Sequence, residues 1–477
     1  MGEEIQSSQF SAADHARFQQ QLQQETQLLE QWFKQGRFLK TGNVSGFELE
    51  AWLVDKNKRP VPYNEAFLDA FDSPLASPEL ASFNIEVNST PRHLSGQAFT
   101  AMHNELNETW SRCRKTAATL ESDVVMTGIL ATVENEHLNL GNMSQMERYR
   151  ALNREVVRMR QGKPIVLDIN GNEHLKVTHR DVMLESAATS FQIHLQMAQA
   201  DVVRLFNAST VLCAPLVALS ANSPFLFGKD LWDETRIPLF EQAVAVGGYA
   251  GAAFGPIRRV TFGSGYLRHS LFECFAENLA HYPVLLPVEL SGTREDLHHL
   301  RLHNGTIWRW NRPLIGFEED GTPHLRLEQR VVPAGPTAID EIANMAFFYG
   351  VVTALAQQEL PIESQIEFDK ARDNFYNAAR HGLRAMVTWQ DDRQVSISEL
   401  LLKVLLPMAE QGLTQLDIAR NDIKQYLGVI QERLETGCNG AHWQRAYVKK
   451  HGKDMVGLTA AYMERQNSDE PVHSWTV

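Results

Sequence analysis

Phe47-Glu48-Leu49-Glu50-Ala51 is the stretch on which the reading of this 477-residue chain turns. On an extended strand, side chains two apart share a face, so Glu48 and Glu50 point one way and Phe47 and Leu49 the other. The alternation returns three times. Phe83-Asn84-Ile85-Glu86-Val87-Asn88 puts Asn84, Glu86 and Asn88 on its polar side, and the strand signal at 191–197 puts Gln192, His194 and Gln196 there. Leu325-Arg326-Leu327-Glu328-Gln329-Arg330-Val331 puts Arg326, Glu328 and Arg330 there. A solvated sheet face alternates too, but it usually carries Lys, Thr and Ser. Here the polar positions hold Glu, Asn, Gln, His and Arg with no Lys. If the strands are neighbours, Glu48, Glu50, Glu86 and Glu328 meet on one face and repel unless cations neutralise them. Oxygen ligands with one imidazole suit Mg²⁺ or Mn²⁺, and Mg²⁺ shares its shell with phosphates. Arg330, on the same face as Glu328, would then lie near phosphate oxygens. From the pattern alone, a metal–phosphate cup and a plain solvated face are both open.

Around these strands, residues 11–37 recur at helical spacing through Phe18, Leu22, Leu29 and Phe33. An amphipathic helix is expected over about 96–121, a strand over 123–132, and a hairpin around Asn170-Gly171. An apolar helix follows over about 200–219, and after Pro336 nearly everything reads as helix, with a frayed tail at 467–477. Strands scattered among helices without βαβ spacing predict an α+β fold built on an antiparallel sheet. The expected division is an N-terminal helix over 1–40, a catalytic domain over 41–360, and a helical region over 361–477. That last region either braces the catalytic domain or supplies a contact between copies in a homo-oligomer.

At 43% hydrophobic and 22% charged residues the chain can bury a sizeable core. Its net charge of −13 argues against a general nucleic-acid groove. The start, MGEEIQSSQF, lacks the basic and apolar segments of a signal peptide, and Gln6 replaces the Ser or Thr of a myristoylation signal. The run Val211–Leu219 falls short of the roughly 20 apolar residues of a membrane helix. A cytoplasmic protein without membrane or nucleic-acid partners is therefore expected. Cys113, Cys213, Cys274 and Cys438 show no metal-ligand or dithiol spacing.

Several other features read as structural. Phe262-Gly-Ser-Gly-Tyr-Leu-Arg268 reads as a glycine turn, and Gly247-Gly248 and Gly251 as a mobile loop. His298, His299 and His303 read as polar helix surface, and Arg258-Arg259 equally as a solvated pair or a phosphate clamp. The stripe Leu400, Leu401, Val404 and Leu405 reads as helix core. Arg236, before Ile237 and Pro238, is a candidate substrate anchor whose structural alternative is an ion pair with Glu234 or Asp233.

The strand motifs also carry a resemblance. Gly46-Phe-Glu-Leu-Glu50, Phe83-Asn-Ile-Glu-Val-Asn-Ser-Thr-Pro91, Phe191-Gln-Ile-His194 and Leu327-Glu-Gln-Arg330 are similar to motifs of the glutamate–cysteine ligase family. Ala218-Leu-Ser-Ala-Asn-Ser-Pro-Phe225 with Asp233-Glu-Thr-Arg236, and His303-Asn-Gly-Thr306-Ile-Trp308, complete the set over roughly residues 45–350. The resemblance implies a cupped antiparallel sheet of the glutamine synthetase and guanidino kinase type, with helices on its convex face. It implies an ATP-dependent carboxylate–amine ligase acting through an acyl phosphate, with glutamate and cysteine or a related amine as substrates. It further implies metal ligands at Glu48, Glu50, Glu86, His194 and Glu328, and ATP contacts from Arg330, Gln192 and Arg326. Glu48, Glu328 and Arg330 would be the catalytic set. Arg236, Asn222, Thr306 and Trp308 would hold substrate. A phosphotransferase on the same fold and a non-catalytic nucleotide sensor are the competing readings.

Overall fold

The computed structural model describes residues 5, 8–246 and 258–477; the glycines at 247, 248 and 251, like Gln6, lie outside the described residues. Its centre is a curled antiparallel sheet. The strands are β1 (Val44–Val54), β2 (Ala76–Pro78), β3 (Asn84–Asn88), β4 (Phe191–Met197), β5 (Asn311–Phe317) and β6 (Pro323–Gln329). Their order is β5-β6-β4-β1-β3-β2, with two short strands, Arg92–His93 and Asp123–Val125, also paired to β1. The four alternating stretches of the sequence are thus contiguous neighbours. The adjacency that the charge argument needed is present.

The apolar side of the alternation is buried throughout: Phe47, Leu49, Phe191, Ile193, Leu195, Leu325 and Leu327 are all at most 4% exposed. Two helices back it, α3 (Val202–Ser220) and α5 (Ala338–Ala356). Gln329 Nε2 donates to Ser209 Oγ of α3 at 3.1 Å, and Tyr349 of α5 donates to the His194 carbonyl at 2.6 Å. Both helices are long and apolar enough to cross a membrane, which the longest uninterrupted run did not foretell. Here 83% and 94% of their apolar windows are buried in the fold. Helix α1 (Ala12–Gln35) begins with a Ser11–Asp14 capping box and stops at left-handed Gly36. Helix α2 (Ala98–Thr119) matches the expected one closely.

Other expectations are corrected. The strand expected over 123–132 ends at Val125, and β5 was not foreseen at all. A small hairpin, Met386–Thr388 with Gln394–Ser396, interrupts the C-terminal helices. These include α6 (Arg420–Thr436), α7 (Gly440–His451) and α8 (Met455–Gln466). The supposedly frayed tail is docked: Trp475 packs edge-on against Trp443 and Tyr462 at 5.2 Å each, and Val472 is fully buried. The tail closes the core because its aromatic ring has a partner, a contact that local periodicity does not register. In the 400–405 stripe, Leu400, Leu401 and Leu405 are core but Val404 is exposed.

Candidate active site

The register of the sheet brings the polar side chains together. Glu50 lies opposite Glu86, Glu48 opposite both Asn88 and Gln192, and Glu328 opposite His194 on one side and Arg312 on the other. Glu48, Glu50, Glu86, His194, Glu328 and Arg330 therefore occupy one face, and the bonds among them are specific. Glu50 accepts from Ser190 N at 2.6 Å and from Gln192 Nε2 at 2.9 Å. Arg330 donates to the Gln192 and Glu328 side-chain oxygens, and Arg312 Nη2 reaches Glu328 Oε2 at 2.7 Å. His194 Nε2 approaches Glu48 Oε1 at 3.2 Å. Neither ring nitrogen of this buried imidazole is aligned in a hydrogen bond to any described group.

Three residues of this face went unnoticed in the sequence. Glu79 and Glu185 sit outside the alternating strands, where no periodicity marks them. Oxygens of Glu50, Glu79 and Glu86 all lie within 4.8 Å of one another. Arg312 was hidden because Pro313 and Gly316 argue against a strand; β5 is an edge strand, where proline is tolerated.

These acids, Glu50, Glu86 and Glu328 buried and Glu48, Glu79 and Glu185 half-buried, do not share one charge state. Burial, helped by the Glu86 charge, pushes Glu50 up to about 7 against the pull of Arg330. Burial and the Glu50 charge push Glu185 up to about 8. Burial likewise raises Glu86 and Glu79, each further raised by neighbouring acids. Against its own burial, Glu48 is drawn down to about 2 by the facing imidazole of His194. Glu328 is held below the usual range by Arg312 and Arg330. The face is thus polarised across the strands, with guanidinium groups on the β5–β6 side and an excess of carboxylate on the β1–β3 side.

The donor set suits a divalent cation. Glu86 Oε2 and His194 Nδ1 are buried and lack a hydrogen-bond partner among the described residues, and buried polar atoms are seldom left so. Hard oxygen donors with one imidazole fit Mg²⁺ or Mn²⁺.

Elsewhere the structure redirects the expected substrate residues. Asn222 is fully buried, and its amide is committed to Ala334 O, Tyr462 Oη and Gln444 Nε2 at 2.8, 2.8 and 3.0 Å. Thr306 closes a helix end, bonding His303 O and receiving Arg259. Trp308 lies on a short strand paired with Val260–Thr261, outside the main sheet, its ring against Phe240. Arg236 is 2% exposed and pairs with Glu234, the structural alternative. Arg326 keeps a buried Nε without a hydrogen bond. His299 and His303 are not surface residues, because each finds a polar partner inside: His299 Nδ1 lies 2.6 Å from Glu25, and His303 Nε2 is 3.2 Å from Asn278 O. Of the arginine pair, Arg259 is buried and Arg258 largely exposed.

The family model that this chain matches makes it, by class, an ATP-dependent carboxylate–amine ligase. The protein belongs to glutamate–cysteine ligase family 2, whose family model matches residues 44–473. No curated protein sequence matches the chain. Among the solved structures that share the fold are two at 10% identity. One is glutamate–cysteine ligase from Francisella tularensis in complex with AMP, with a TM-score of 0.53 over 92% of this chain and 96% of that one. The other is a bifunctional glutathione synthetase from Pasteurella multocida, also at 0.53 over 92% of this chain but only 54% of that longer protein. The family expected from the strand motifs is the family found.

Proposed function

We propose that the protein joins the γ-carboxylate of glutamate to the amino group of cysteine or a related amine, using ATP and Mg²⁺ or Mn²⁺. The observation that carries this reading is the convergence of Glu48, Glu50, Glu86, His194 and Glu328 with Arg330 on one face of contiguous strands. Glu50, Glu79 and Glu86 would hold one cation, and Glu48, His194 and Glu328 another. A cation held by these residues would supply positive charge to offset that of the phosphate oxygens. The cupped sheet is read as that of the glutamine synthetase and guanidino kinase type, and residues 41–360 as the catalytic domain.

In the reaction, a carboxylate oxygen of the acid attacks the γ-phosphorus of ATP, forming an acyl phosphate and releasing ADP. The amine nitrogen then attacks the acyl carbon; the carbon–oxygen bond to phosphate breaks, inorganic phosphate leaves, and the nitrogen loses a proton. No protein nucleophile is required. Arg330, held by Glu328 and Gln192, would meet phosphate oxygens, and Arg326 would offer a further guanidinium. The chain contributes positioning and charge, which dominate phosphoryl transfer.

The test is phosphate release from ATP with L-glutamate and Mg²⁺, with and without an amine panel led by L-cysteine, alongside mass detection of the product. Amine-dependent release with a new amide mass is expected. Release of phosphate onto a stable phosphorylated product without amide would overturn the ligase chemistry.

A further inference from the structure

Arg236 makes contacts that a substrate anchor would leave free. Its Nε donates to Glu234 Oε1 at 3.2 Å, and Nη1 and Nη2 both donate to the Arg330 carbonyl at 3.1 Å. Nη2 also donates to the Val331 carbonyl at 2.5 Å. The guanidinium lies 5.4 Å from the ring centroid of Trp310. Arg330 and Val331 directly continue β6, the strand that carries Glu328. One side chain therefore grips the backbone on which the phosphate-facing residues are mounted.

The grip has its own anchor. Glu234 is fully buried, and its second oxygen accepts from Asn222 N at 2.8 Å. Asn222 in turn bonds Gln444 of α7 and Tyr462 of α8. Gly440, the first residue of α7, has no room for a Cβ beside the Asn222 side chain, so the helix approaches as closely as a backbone can. An unbroken buried chain of bonds runs from the C-terminal helices through Asn222, Glu234 and Arg236 to the backbone of Arg330.

We propose that Arg236 is a positioning residue, which, anchored through Glu234 and Asn222 to α7 and α8, fixes the aim of Arg330 and Glu328. A buried ion pair is weak as a source of stability, since desolvation offsets most of its attraction. Its forked geometry is well suited to holding two successive carbonyls in one place. The inference rests on Arg330 and Glu328 acting on the phosphates, as read above.

The experiment compares Arg236→Lys, Glu234→Gln and Gln444→Met with the wild type in steady-state kinetics, below each variant's melting temperature. Lysine cannot span both carbonyls. A displacement of about 1 Å costs on the order of 100-fold in rate, so kcat is expected to fall between about tenfold and 100-fold. KM for the acid substrate is expected to change less than about twofold. Glu234→Gln should move kcat the same way, and Gln444→Met less. Should Arg236→Lys fail to fold, the Glu234 and Gln444 variants decide the matter. A rise of about tenfold in KM for the acid at constant kcat would make Arg236 a substrate anchor and overturn the proposal. So would a wild-type kcat in Glu234→Gln. A wild type with no ATP- and Mg²⁺-dependent turnover is a separate result: it fails the ligase reading and leaves nothing for Arg236 to aim.

Discussion

Glu48 and Glu328 are the residues whose replacement by the neutral isostere is most informative. Both are held ionised by basic partners, His194 for Glu48 and Arg312 and Arg330 for Glu328. Glu48→Gln and Glu328→Gln are each expected to lower kcat by at least about 100-fold while the melting temperature holds within a few degrees; full activity in either would remove that residue from the metal and phosphate set. Glu79→Gln is expected to raise the Mg²⁺ concentration needed for half-maximal rate, because it removes one of the three oxygens gathered with Glu50 and Glu86. A metal titration of the rate checks it, and an unchanged requirement places Glu79 outside the shell. Glu48, Glu50, Glu86, His194 and Glu328 were legible in the sequence because period-two spacing reports which side chains share a face. Glu79 and Glu185 were not, since one follows the short β2 and the other opens a single 3-10 turn, neither long enough to show a period.

Elements are held by contacts that spacing does not encode. Helix α5 is crossed by Leu406–Gln415 so closely that a Cβ on Gly412 would overlap the Gly350 carbonyl. Gly412→Ala is expected to destabilise the fold by about 1–3 kcal/mol, read as a shift in the denaturation midpoint. Helix α4 (His298–Gly305) supplies a pH dependence. Burial, reinforced by Arg259, pulls His303 down to about 3, whereas the unfolded imidazole titrates at its ordinary 6.5. Below 6.5 the unfolded chain therefore takes up a proton that the folded one refuses. The stabilisation is complete above that pH and is lost as pH falls toward about 3. Glu50 and Glu185, raised by burial, act in the opposite sense, so the His303 effect is isolated by comparison. Between pH 7 and pH 5 the melting temperature of wild type is expected to fall more than that of His303→Gln; parallel profiles would show that His303 titrates normally.

At the scale of the whole molecule the C-terminal third is bonded to the rest of the chain: Thr100 Oγ1 of α2 donates to Asp422 of α6 at 2.7 Å, and Gln466 Nε2 of α8 donates to the Met126 carbonyl at 2.7 Å. Arg433 of α6 and Asp340 of α5 form a buried pair at 2.7 Å, and Trp475 closes the aromatic cluster with Trp443 and Tyr462. Trp475→Ala is expected to cost about 3–5 kcal/mol, measured by chemical denaturation. A loss under 0.5 kcal/mol would mean the tail contributes only surface.

The sequence by itself determined the antiparallel strands, their polar face and the family, because alternation is a local property of the backbone and six motifs fell in order. Only the tertiary structure decided which strands are neighbours, that Pro313 and Gly316 sit on a tolerant edge, and which buried groups Arg236 and Asn222 bond. Those outcomes depend on which groups satisfy a buried donor or acceptor, and such partners lie tens to hundreds of residues apart. Asn222 and Gln444 share a bond across a separation of 222 positions that no window of sequence contains.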